Sequence, residues 1–140
     1  MNKDLTKAKK ILLDTAATCV LCKGSSRVDS QLRGVTPLVD LLDTGMDFSG
    51  YSAADKVVGK ATAFLYCLLG VKAVYTPVIS EAALAVLQEN GIDAQYDTCV
   101  PAIFNHRKNG PCPMESATKT ITNPEEALVA IRQTLEKLSS

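Results

Sequence analysis

The stretch Ser52-Ala53-Ala54-Asp55-Lys56-Val57-Val58-Gly59-Lys60-Ala61-Thr62-Ala63-Phe64-Leu65-Tyr66-Cys67-Leu68-Leu69-Gly70 decides how the fold is read. Val57, Val58, Ala61, Ala63, Phe64, Leu65, Cys67, Leu68 and Leu69 leave almost no polar face, which predicts a central helix buried all round. Ser52 to Asp55 has the form of a capping box, and Gly70 is a terminator, so the helix is expected from about Ser52 to Leu69. A helix without a wet face needs other layers around it.

The flanking segments supply those layers. Val71 to Tyr75 reads as a strand, Ser80-Glu81 as the cap of a second helix ending at Asn90-Gly91, and Ala94 to Tyr96 as another strand. Upstream, Asp4 to Leu13 reads as an amphipathic helix with a lysine-rich outer side, Thr15 to Cys22 as a strand, and Arg27 to Gln31 as its partner. Thr36-Pro37 opens a short helix that Gly45 ends, and Asn123-Pro124-Glu125-Glu126 opens a last one over about 124–138. Asn105 to Pro113 is rich in turn formers. Strand-helix-strand passages with short connections imply parallel pairing. The expected architecture is α/β, a three-layer α-β-α sandwich with a mixed sheet, in one domain over 1–140.

Composition narrows the function classes. Fifteen acidic and fifteen basic side chains cancel, whereas binding nucleic acid through its phosphates calls for a basic excess, so no nucleic acid partner is expected. No apolar run approaches the roughly 20 residues that span a bilayer, and the run after the N-terminal lysines is cut by Lys23, so neither membrane nor export is expected and the location reads as cytoplasmic. Five cysteines then read as reduced thiols. Cys19 and Cys22 form a C-x-x-C inside an apolar strand pattern, where residues three apart point to opposite faces. Buried structural thiols are expected there, not a redox or zinc pair.

Ala54-Asp55-Lys56-Val57-Val58-Gly59-Lys60-Ala61, Ser80 before a helix, and Cys112-Pro113-Met114-Glu115 together resemble the uncharacterised domain-of-unknown-function family 1893. Arg33-Gly34 followed by Pro37-Leu38 fits the same pattern, and the resemblance spans about Thr15 to Glu115. It implies a cytidine-deaminase-like fold. Zinc deaminases open two central helices with H/C-x-E and P-C-x-x-C. Aligned on those motifs, the three ligand positions fall on Ala53, Val78 and Glu81, which cannot hold zinc. No metal and no cofactor are therefore expected, and the resemblance implies an inherited fold without that chemistry.

The candidate site residues follow. Lys56 and Lys60 are expected one turn apart on the buried helix, adding charge to its positive end, with Asp55 at the edge. Such a concentration suits a phosphate or carboxylate, and the competing reading is that both lysines reach solvent. Ser80 is a helix cap that would open beside the first helix, and Arg33 would reach the same rim. Glu115 is expected either to cap or to pair with the lysines. Cys112, between two prolines and near His106, Arg107 and Lys108, is either a nucleophile or an incidental thiol. Asp55, Lys60 and Cys112 are the candidate catalytic residues; Lys56, Ser80, Arg33 and Glu115 are the candidate ligand contacts. The leading expectation is a domain that binds a phosphorylated or nucleotide-like small molecule. A non-enzymatic interaction protein and a thiol-dependent enzyme at Cys112 stand beside it, and a homo-oligomer is compatible with each.

Overall fold

A computed structural model describes residues 2–32, 34–103 and 113–139. The chain opens with α1 (Lys3–Asp14), capped by the Asn2 side chain on the Leu5 N–H, and continues into the hairpin β1 (Cys19–Lys23) and β2 (Ser26–Ser30). Next come α2 (Thr36–Asp43), β3 (Ser52–Asp55), β4 (Val57–Val58) and α3 (Lys60–Leu69). The second half is β5 (Ala73–Ser80), α4 (Glu81–Glu89), β6 (Asp93–Val100), α5 (Pro113–Thr118) and α6 (Pro124–Ser139).

The sheet is mixed. β1 pairs antiparallel with both β2 and β3, whereas β3, β4 and β6 all run parallel to β5. One register offset links Ser52 to Ala73 and Val57 to Val78, so β3 and β4 are two pieces of one strand position interrupted at Lys56. β6 takes the other side of β5.

Both faces are covered, which makes the three layers. On one face α1 lays Leu5, Ala8 and Leu12 over Val20, Cys22, Ala54, Ala73 and Tyr75. On the other, α3 and α4 pack over Cys19, Leu21, Ala53, Val58, Val74 and Ile79, with α6 bringing Ala127 and Ile131 against α3. Cys19 and Cys22 thus lie on opposite faces as buried thiols. The α/β sandwich expected from the sequence is the observed fold class.

The central helix is shorter than expected. It begins at Lys60, with extended Gly59 as its cap residue, and Ser52 to Asp55 is a strand whose four residues are all buried. Alanine favours helix intrinsically, but here a place between β1 and β5 demands small side chains on both faces, and tertiary pairing overrides propensity. β5 likewise runs past the expected Tyr75 to Ser80, carrying Pro77 and Val78 in the sheet. β6 is also longer than expected, at eight residues. The cap residue of α2 is Val35, not Thr36, and α5 is an element with no sequence signal beyond Pro113. Among the described residues, no helix is long and apolar enough to cross a membrane.

Candidate functional site

Two helix N-termini open side by side at the carboxyl ends of the parallel strands. Val58 of β4 pairs with Ile79 of β5, and the next residue of each strand, Gly59 and Ser80, is the cap residue of α3 and of α4. The two termini are finished differently. Ser80 is fully buried and its hydroxyl accepts the Ala83 N–H at 3.1 Å, which satisfies the first turn of α4 locally. Gly59 has no side chain to do the same, and α3 is capped from elsewhere: the Lys60 backbone N–H donates to the Glu115 carboxylate, brought in by α5. That carboxylate fills the space a Cβ on Gly59 would need. Of the two roles read for Glu115, capping is the observed one. Burial pushes the Glu115 carboxyl above its ordinary value, against the opposing pull of the Lys60 N–H and the Lys60 charge.

A Gly59→Ala change therefore expels the Glu115 carboxylate, since the backbone at Gly59 is ordinary extended chain and the carboxylate is the part able to move. The expected cost in urea unfolding is about 1.5–2 kcal/mol, the lower part of the range for a hydrogen bond to a charged group because Glu115 is only half-buried. In a Glu115→Ala background the same change is expected to cost less than about 1 kcal/mol, the loss of glycine at a cap position. Equal costs in the two backgrounds would show that residues 59 and 115 are independent.

The lysines do not converge as expected. Lys56 lies in the break between β3 and β4, and its Nζ donates to the Leu12 carbonyl of α1 at 3.2 Å, across the other face of the sheet. Lys60 is the first residue of α3, and its Nζ donates to the Lys119 carbonyl at 3.0 Å and lies 5.7 Å from the centre of the Phe64 ring. Two ammonium groups one helical turn apart require a helix through residue 56, and Gly59 ends any such continuity. Lys56 thus adds no charge to the positive end of α3, which comes from its N–H groups with the Lys60 charge alone beside them.

Asp55 is buried in a network that the sequence gives no reason to connect. Its Oδ2 accepts the Tyr66 hydroxyl at 2.7 Å, and the Cys19 Sγ lies 3.3 Å from the same hydroxyl. Cys19 and Asp55 are cross-strand partners in β1 and β3, and Tyr66 reaches them from the second turn of α3. Burial raises the Asp55 carboxyl to about 7, although the Tyr66 hydroxyl and the Val57 N–H favour its charged form. Burial, helped by the neighbouring Asp55, pushes the Cys19 thiol well above the ordinary thiol range, so it is a poor nucleophile. Cys19 also lines a depression of about 190 Å³ between β2 and α2.

Arg33 and Cys112, and with them His106, Arg107 and Lys108, lie outside the described residues. The positions aligned with zinc ligands are scattered: Ala53 is mid-strand in the core, Val78 is in β5, and exposed Glu81 starts α4. Contrary to expectation, Ala53 does not stand at a helix opening: the residues at the two openings are Gly59-Lys60 and Ser80-Glu81. Among the described residues, no three His, Cys, Asp or Glu side chains gather as a metal site would need.

The family model described as TM1506, domain of unknown function (DUF1893), matches residues 7–135. The chain belongs to the DUF1893 family. The match runs beyond the Thr15–Glu115 span of the sequence resemblance and takes in most of α1 and α6. The DUF1893 chain is similar to a crystal structure of a DUF1893 family protein (TM1506) from Thermotoga maritima, at 29% identity and a TM-score of 0.85, covering 98% of this chain and 92% of that one. It also has a weaker likeness to a dCMP deaminase from the cyanophage S-TIM5 in apo form, at 14% identity and a TM-score of 0.46, over 69% of this chain and 99% of that one. No curated protein matches this DUF1893 chain.

Proposed function

We propose that the chain binds a small phosphorylated or nucleotide-like molecule at the mouth shared by α3 and α4, and that Glu115 is an internal carboxylate the ligand's anion replaces. The observation that carries this reading is the Lys60 N–H donating to Glu115 in the space beside Gly59. A helix N-terminus attracts negative charge through its free N–H groups, and here a carboxylate from a distant part of the chain already occupies one. A phosphate has the charge and the acceptors to take the same place. Asp55, one break away on β3, is buried with its carboxyl on the Tyr66 hydroxyl and the Val57 and Lys56 N–H groups, and is given no ligand contact in this reading.

Because Lys56 and Lys60 are held by carbonyls of α1 and of Lys119, affinity is assigned to backbone N–H groups and not to ammonium groups. Calorimetric titration with cytidine monophosphate and with cytidine tests this. Glu115→Ala is expected to raise affinity for the monophosphate about tenfold, the worth of one displaced charged hydrogen bond, and to leave cytidine unchanged. Lys60→Met is expected to change either by less than about twofold. Equal binding of the two probes, or binding by neither protein, removes the proposal.

A second reading, a non-enzymatic interaction protein, draws support from the same contact. An α3 terminus capped by the chain's own carboxylate has its Lys60 N–H already taken, and among the described residues no buried side-chain polar atom lacks a hydrogen-bond partner. Failure of Glu115→Ala to bind any anion favours this reading.

A further inference from the structure

The two edges of the sheet are unlike. β2 is five residues long and carries an exposed ion pair, Arg27 Nε to Asp29 Oδ2 at 2.7 Å, the usual way a free edge is kept from pairing. β6 is eight residues long, is mostly exposed, and among the described residues pairs only with β5. An extended backbone with one row of free N–H and C=O groups asks for another strand.

The side chains of β6 favour a second copy of the same strand. Gln95 lines a groove beside Lys9 and Lys10 of α1, and Asp97 accepts the hydroxyl of Tyr75, which belongs to the α1 side of the sheet. An antiparallel pair of identical strands has a two-fold axis perpendicular to the sheet, so residues that face each other share a side. With Tyr96 opposite Tyr96, Asp97 falls opposite Gln95, Thr98 opposite Ala94, and Cys99 opposite Asp93. No like charges are opposed, each Asp97 is carried toward the other copy's Lys9 and Lys10, and Tyr96, 43% exposed in the single chain, stacks on its equivalent. The neighbouring register sets Asp97 against Asp97, and the one before it sets Asp93 against Asp97 twice.

We infer that two copies of this chain associate through β6, antiparallel about Tyr96, into one continuous sheet. The inference does not depend on the ligand reading. Sedimentation equilibrium of the full chain is expected to give a dimer at tens of micromolar. Gln95→Asp, which sets a carboxylate against Asp97 twice per dimer, is expected to weaken it about tenfold, with the melting curve of the dilute monomer unchanged. Tyr96→Cys is expected to cross-link the two copies on mild oxidation through residue 96, while the native Cys99 does not cross-link to Cys99. A wild-type chain still monomeric near millimolar concentration overturns the inference. So does a dimer indifferent to Gln95→Asp, or a Cys99–Cys99 cross-link.

Discussion

Asp55→Asn is expected to remove most of a fall in stability that the wild-type chain undergoes between about pH 4 and pH 7. The folded carboxyl titrates at about 7, against 3.8 for an ordinary aspartate, chiefly because burial disfavours its charge. Between those two values the folded chain holds a proton that the unfolded chain releases. Stability is therefore greatest below the unfolded value and declines as pH rises toward the folded one. Three units correspond to about 4 kcal/mol, and the side chain is buried enough for little of that to be lost to solvent screening. The Glu115 carboxyl is raised as well and acts in the same direction, so the difference between wild type and variant isolates Asp55. Urea unfolding at intervals from pH 4 to pH 8 measures it. Parallel curves for the two proteins would mean that Asp55 is solvated, contrary to the network with Tyr66 and Cys19.

Ile131→Ala is expected to cost about 2–5 kcal/mol, the range for a large aliphatic side chain lost from a core that cannot fully close. Ile131 is wholly buried on α6 and belongs to the cluster that holds Phe64, Leu65 and Leu69 of α3. The exposed Val129 on the same helix serves as the control, and Val129→Ala is expected to change stability by less than about 0.5 kcal/mol. Guanidinium unfolding of both variants decides whether α6 is part of the core. Similar small costs at the two positions would make α6 an appendage.

That last helix shows how far the sequence reaches. Its start is written in Asn123-Pro124-Glu125-Glu126, and the Asn123 side chain does accept the N–H groups of Glu125 and Glu126. Its packing on α3 is not written there, because an apolar stripe says that a helix buries a face and not against what. The strand at Ser52–Asp55 is the opposite case. Its alanines favour helix locally, and only pairing with β1 and β5 makes them a strand. Once that start moved, Lys56 left the helix and the expected pair of ammonium groups came apart.

The site was legible to the extent that chemistry is local. Ser80 caps α4 through its own first turn, a contact three residues long. Glu115 stands 55 residues from the Lys60 N–H it accepts, and only the placement of α5 tells that it caps α3. Tyr66 and Cys19 carried no sign at all, since an aromatic and a cysteine in apolar runs look like core until a carboxyl is found beside them.

The α3 N-terminus is proposed as an anion site held by Glu115. The most direct measurement is a titration of inorganic phosphate into isotopically labelled wild-type and Glu115→Ala chains, read at the backbone amides by nuclear magnetic resonance. Saturable shifts are expected at Lys60 and at the first turn of α4, at lower phosphate in the variant than in the wild type. An unmoved Lys60 amide in both proteins, or shifts spread over the lysines of α1, would contradict it.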